Sequence, residues 1–223
     1  MSDELWSAVD HYINDLFIHP DPALEAALQS SAKAGLPAIQ VSPAQGKFLH
    51  LLACAVGAKK ILEIGTLGGY SAIWLARALP TGGQLITLEV EPKHAAVAGE
   101  NLRHAGLNDR VEIRLGPALK TLDGMISAGE GPFDLIFIDA DKPAMTEYFE
   151  AALQLSRPGT LMVVDNVVRK GAVIHPDTSD PAVNGVRRFH ERAAAEPRVR
   201  ATTLQTVGSK GYDGFTLLVV DPL

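Results

Sequence analysis

Four short stretches of this chain carry side chains whose types and spacing could do chemistry. The first is Glu63-Ile-Gly65-Thr-Leu-Gly68-Gly69-Tyr70-Ser71. Closely spaced glycines there permit a tight turn, and a helix starting after them would offer free N–H groups to an anion. The Gly-x-x-Gly-Gly spacing is not the Gly-x-Gly-x-x-Gly of a dinucleotide site. The carboxylate of Glu63 would repel a pyrophosphate, yet it would welcome an ammonium or sulfonium. The second stretch ends in Glu89, an acid able to accept both hydroxyls of a ribose. The third and fourth are Asp139-Ala-Asp-Lys142 and Asp165-Asn166. Oxygen donors from Asp139, Asp165 and Asn166 suit a hard divalent cation such as Mg²⁺, with positions left for water or substrate. Carboxylates without a basic partner repel one another, and a cation relieves that repulsion. Lys142 lies three residues after Asp139, where burial or a neighbouring cation would favour the neutral amine that a general base needs.

These residues can meet only if strands end side by side. Short β-rich runs at 60–64, 84–90, 111–115, 133–139 and 160–165 alternate with amphipathic segments at 70–79, 92–104 and 146–155. Such alternation predicts a parallel sheet covered on both faces. Residues 199–207 and 215–220, joined by a turn-rich loop at 208–214, predict an antiparallel pair closing that sheet. The first 58 residues form helices punctuated by Pro20, Pro22, Pro37 and Pro43, the last of these at a helix start. Within 45–56, Phe48, Leu49, Leu51, Leu52 and Val56 mark a helical face, and Cys54 is expected to be a small buried residue.

Ligands of open α/β sheets bind beyond the carboxyl ends of the strands, and all four stretches fall there. A carboxylate on the helix N-terminus, an ammonium near Glu63 and a ribose on Glu89 describe an amino-acid zwitterion joined to a nucleoside. S-adenosylmethionine is such a ligand.

Composition narrows the class. The chain has 223 residues, 20 Lys+Arg against 26 Asp+Glu, and a formal charge of −6, so it lacks the basic footprint of a nucleic-acid binder. Hydrophobic residues at 47% and charged ones at 21% exclude a disordered chain. No apolar run is long enough for a membrane helix. The acidic start, Met1-Ser-Asp-Glu-Leu, lacks a signal pattern. One cysteine excludes an internal disulfide framework and fits a reducing compartment, so a cytoplasmic globular protein is expected.

Together, Val41-Ser42, Gln45-Gly46-Lys47-Phe48-Leu49, the stretch 62–71, Asp139-Ala-Asp-Lys142 and Asp165-Asn166 resemble the metal-dependent small-molecule O-methyltransferases. This is the family of catechol and caffeoyl-coenzyme A O-methyltransferases and their bacterial relatives. The resemblance runs from about Val41 to the C-terminus. It implies an α/β fold, a Rossmann-like doubly wound seven-stranded sheet, mostly parallel with an antiparallel final strand, plus N-terminal helices. A single domain over 1–223 is expected, with a helical extension at 1–58 and a cofactor-binding core at 59–223.

By the same resemblance, Val41, Glu63, Gly65, Thr66 and Ser71 contact the methionine part of S-adenosyl-L-methionine, and Glu89 the ribose. Ala118, in the turn Gly116-Pro117-Ala118, meets the adenine through its backbone. Asp139, Asp165 and Asn166 ligate Mg²⁺, Mn²⁺ or Ca²⁺, with Asp139 also near the cofactor, and Lys142 is the base. The implied acceptor is a small hydroxylated aromatic, either a catechol-like vicinal diol or a phenylpropanoid, and the implied assembly is a homodimer. Two features depart from the pattern. Gln45 stands where plant members carry Glu, and neither the 171–181 loop nor the N-terminal arm matches any one member.

Other readings compete. Glu89 also fits the ribose of a nicotinamide oxidoreductase, although the glycine spacing and Asp165-Asn166 argue against it. An Asp-x-Asp phosphatase would need a hydroxyl residue where Pro143 stands. A catalytically idle nucleoside-binding module would have no use for Lys142. His175 is expected to be exposed, and Tyr148 and Trp74 to pack in the core. Arg187, Arg188, Arg192, Arg198 and Arg200, interleaved with Glu191 and Glu196, suit a solvated face or subunit contact. Tyr212 and Asp213 could line a pocket mouth, as could residues 1–18 of a partner chain.

Overall fold

A computed structural model describes residues 3–221. Three helices come first, α1 (Asp3–Phe17), α2 (Pro22–Lys33) and α3 (Pro43–Ala55). Proline at the first turn begins both α2 and α3. There its missing N–H costs nothing, and Asp21 and Ser42 cap the N–H groups behind it. Strands and helices then alternate as β1 (Lys60–Ile64), α4 (Tyr70–Ala78), β2 (Gln84–Glu89), α5 (Pro92–His104), β3 (Val111–Leu115), α6 (Ala118–Ser127), β4 (Phe133–Ile138), α7 (Met145–Gln154) and β5 (Ser156–Asp165). A 3₁₀ segment, Arg169–Ile174, leads to α8 (Pro181–Ala194), β6 (Val199–Gly208) and β7 (Gly211–Val220).

The seven strands lie in the order β3-β2-β1-β4-β5-β7-β6. β1 to β5 pair in parallel, and β7 runs antiparallel to both neighbours. This is the doubly wound, Rossmann-like arrangement expected. Alternation along the central strands separates two cores. Leu62, Ile64, Ile136 and Ile138 face Phe149 and Phe189 on α7 and α8. Ile61, Leu135 and Phe137 face Leu49 and Ile73 on α3 and α4. From Leu135 to Ile138 β4 is an unbroken buried apolar run because helices cover both of its faces.

Several boundaries differ from expectation. β5 starts at Ser156, four residues before the predicted start, since Ser156 already pairs with Phe133 across a register irregularity. β7 starts at Gly211, so the predicted loop shrinks to Ser209-Lys210. α6 is an additional helix, anchored by buried Leu122 and Met125. Cys54 is exposed, contrary to expectation. The buried side of α3 is Gly46, Leu49 and Ala53, and one further residue rotates Cys54 out by about 100°. Leu51 is exposed for the same reason. Gly46 is required because the Trp74 ring occupies the place of its missing Cβ.

Candidate functional site

The loop between β1 and α4 is held from several sides. Gly65 takes φ +104° and lies so close to the Asp139 carbonyl that a Cβ would collide with it. Its N–H donates to Leu88, that of Asp139 to Ile64, and that of Gly116 to Glu89, so four adjacent strand ends, β3-β2-β1-β4, are laced together. Gly69 at φ +80° turns the chain into α4, whose first turn has no side-chain cap. Those N–H groups therefore remain available to an anion.

Glu89 locks the loop from below. Its Oε2 accepts the N–H of Leu67 at 2.7 Å, and its Oε1 accepts those of Val90 and Glu91, each at 2.9 Å. Three backbone donors fix the carboxylate; Oε1 already accepts two of them, and Oε2 retains lone-pair capacity for a further donor. Glu63 is fully enclosed. Thr87 donates to its Oε2 at 2.6 Å, and the Thr66 hydroxyl pairs with Thr87 at 2.5 Å. Its Oε1 has no hydrogen-bond partner. Burial pushes the Glu63 carboxyl up to about 7; the Ser71 and Thr87 hydroxyls oppose this, and the Asp139 and Glu89 charges reinforce it. Such a group favours a cation placed beside it.

A cavity of about 740 Å³ opens over this edge, within the usual range for small-molecule sites. Val41, Gly65, Thr66, Ser71, Glu89 and Ala118 line it on the β3-β2-β1 side, and Asp139, Lys142 and Asn166 on the β4-β5 side. Glu63 and Asp165 are not in the lining; they are buried beneath it.

On the second side, Lys142 Nζ donates to Asp139 Oδ1 at 3.0 Å with only 9% of its side chain exposed. Asp165 Oδ1 accepts the Asn166 N–H at 2.8 Å, and Oδ2 accepts Gln45 Nε2 at 2.7 Å. Asn166 takes φ +57°. Burial and the Asp139 charge raise the Asp165 carboxyl to about 7, against Lys142, the Asn166 N–H and Gln45. Among the described residues no three His, Cys, Asp or Glu side chains gather around one metal position. The candidate donor set is two carboxylates and an amide. All three offer oxygen donors, and this chemistry fits a hard divalent cation.

Sequence reasoning missed or misread several residues. Tyr148, expected to be only core, also lines the cavity and donates its hydroxyl to Asp141; burial and the Asp141 carboxylate raise its pKa. His94 and Arg169 line it as well. Position alone hinted at Arg169, three residues beyond Asn166. Tyr212 and Asp213 do not line the cavity; Asp213 instead accepts the N–H groups of Val168, Arg169 and Gly214 behind the mouth. Trp74 packs in the core and His175 is exposed. The arginine run is engaged within the chain. Arg187 and Arg188 bind backbone carbonyls, while Arg192, Arg198 and Arg200 pair with Glu150, Glu196 and Asp221.

Known proteins share this architecture. A catechol O-methyltransferase of Niastella koreensis is 57% identical over 220 residues, covering 99% of this chain and all of the relative. One of Mycobacterium tuberculosis is 50% identical over 212 residues, covering 95% and 94%. An O-methyltransferase from Bacillus cereus, solved in complex with SAH, superposes with a TM-score of 0.97 at 58% identity, covering 99% of this chain and 100% of its own. One from Streptomyces achromogenes, solved with SAM, gives 0.96 at 52% identity with full coverage of both chains. The model of the family described as O-methyltransferase matches residues 18–219, and the chain belongs to that family.

Proposed function

We propose that this O-methyltransferase transfers a methyl group from S-adenosylmethionine to one hydroxyl of a small catechol-like or phenylpropanoid-type acceptor, with a divalent cation. The observation that carries this reading is one cavity with two chemically distinct ends. One end holds Glu89 in a frame of backbone N–H groups; the other holds Asp139, Asn166 and a buried lysine, with Asp165 beneath them. The catechol O-methyltransferases among the relatives support the acceptor class.

S-adenosylmethionine supplies a methyl group activated by its sulfonium. Val41, Gly65, Thr66 and Ser71 would surround the methionine part, with Glu63 beneath as counter-charge. Glu89 would take the ribose hydroxyls and the Ala118 backbone the adenine. Asp139, Asp165 and Asn166 would hold Mg²⁺, Mn²⁺ or Ca²⁺, whose charge favours ionisation of an acceptor hydroxyl. With Asp139 so engaged, Lys142 would lose its ion-pair partner, and as a neutral amine its Nζ would accept that hydroxyl's proton. The laced strand ends would hold donor and acceptor in line, and positioning of this kind contributes about 7–11 kcal/mol to lowering a barrier.

The test is methyl transfer to catechols, caffeoyl esters and flavonoids with Mg²⁺ or with chelator. Vicinal diols are methylated only with the metal, and Asp165→Ala loses turnover while calorimetry shows S-adenosylmethionine affinity retained. Undiminished activity in chelator overturns the metal role. Failure on every diol overturns the acceptor class.

A cytoplasmic homodimer completes the reading. α1 buries none of its residues, yet Leu5, Val9, Tyr12 and Leu16 are exposed at helical spacing, which supports a contact with a second copy. Among the described residues, no helix is long and apolar enough to cross a membrane.

A further inference from the structure

Arg169 opens the segment that follows Asn166 and lines the cavity on the β5 side. Most other charges in the lining are engaged. Glu89 holds three backbone N–H groups, Asp139 is paired with Lys142, and Asp141 accepts from Tyr148. The Arg169 guanidinium makes no hydrogen bond among the described residues, and its Nε is buried without a partner. Among the described residues the one carboxylate within ion-pair range is Asp213, with Oδ2 4.0 Å from Nη1, beyond hydrogen-bond reach. The other oxygen of Asp213 is committed to the N–H groups of Val168, Arg169 and Gly214.

Those bonds also hold the backbone. Arg169, Lys170 and Gly171 take φ +54°, +55° and +85° in succession, a conformation that side-chain-bearing residues rarely adopt. Asp213 and the Gly171 N–H to Val168 carbonyl bond fix it. A cation with unsatisfied N–H groups is thus presented at the cavity with little left to order on binding. The planar guanidinium fork matches a carboxylate. A polyanion fits less well, because Glu91, Asp139 and Asp141 line the same cavity.

We propose that Arg169 is a specificity residue for acceptors that carry a carboxylate, taking the acid group while the vicinal diol faces Asp139, Asp165 and Asn166. This rests on the diol-methylating function proposed above. Its substrate class is a singly charged aromatic acid with adjacent hydroxyls.

The experiment compares 3,4-dihydroxybenzoate with its methyl ester, which keeps the ring and diol but loses the charge. Wild-type kcat/KM favours the acid by roughly tenfold to a hundredfold, the range of a charge-assisted hydrogen bond. Arg169→Gln removes that preference through KM, and Arg169→Lys keeps part of it. Glutamine is unbranched and leaves the backbone requirement unchanged, and SAH binding reports that the variant is folded. Equal use of acid and ester by the wild type, or equal loss on both in Arg169→Gln, overturns the proposal while the methyl-transfer function stands. If neither compound is methylated, that function fails instead. Calorimetry with SAH and Mg²⁺ then decides on Arg169: acid binding that Arg169→Gln abolishes supports it, and equal binding of acid and ester overturns it.

Discussion

Glu63 combines full burial, an unpartnered oxygen and a carboxyl raised from 4.5 to about 7. A carboxyl whose folded pKa is raised stabilises the fold fully below its unfolded pKa and loses that contribution as pH rises through the folded value. For Glu63 the window runs from about 4.5 to about 7, and the shift corresponds to about 3 kcal/mol. Glu63→Gln stays neutral throughout. The unliganded variant should therefore gain stability relative to the wild type between pH 4.5 and 8, and bind S-adenosylmethionine more weakly at pH 8. Chemical denaturation across that range checks the first outcome and calorimetry the second; a pH-independent difference in stability would show that the carboxyl does not titrate there. At this scale the acids of the site were legible because type and place, at a strand end, were both visible. Gln45 bonds Asp165 across 120 positions, and Arg169 reaches the cavity through a left-handed loop. Neither contact leaves a local pattern.

The elements position Lys142 from behind. α8 approaches the 3₁₀ turn Lys142–Ala144 through Gly185, where a Cβ would strike the Lys142 carbonyl. Alanine is the better helix former by about 1 kcal/mol, but close packing forbids it at this position. Gly185→Ala is expected to lose about 2 kcal/mol in urea denaturation and to lower kcat by displacing Lys142, with S-adenosylmethionine affinity retained. Unchanged stability and kcat would mean that α8 yields freely. Strand existence and order of type were legible, since continuous apolar runs between amphipathic segments admit few alternatives. Strand ends were not, because cross-strand partners set them: Ser156 joins β5 only through Phe133. Cys54 was misjudged because Gly46 and Ala53 join Leu49 on the buried face of α3, which turns Cys54 and Leu51 outward.

Over the whole molecule the excess acid is local. Glu63, Glu89, Asp139, Asp141 and Asp165 cluster at one sheet edge, and setting these five aside takes the formal charge from −6 to −1. A nearly neutral remainder suits self-association. Light scattering should give the mass of two chains, and Tyr12→Glu with Leu16→Glu should reduce it to one; a monomeric wild type refutes the interface. β7 carries a different consequence. Because it alone runs backwards, its beginning, not its end, lies at the functional edge, and Asp213 can brace Arg169 there. In chain order the proposed nucleoside side is complete by Ala118, while the proposed acceptor rim waits for residue 213. On the ribosome the acceptor rim is therefore finished last, after the nucleoside side has emerged. Changes to this late hairpin can retune the choice of acceptor without rebuilding the earlier half.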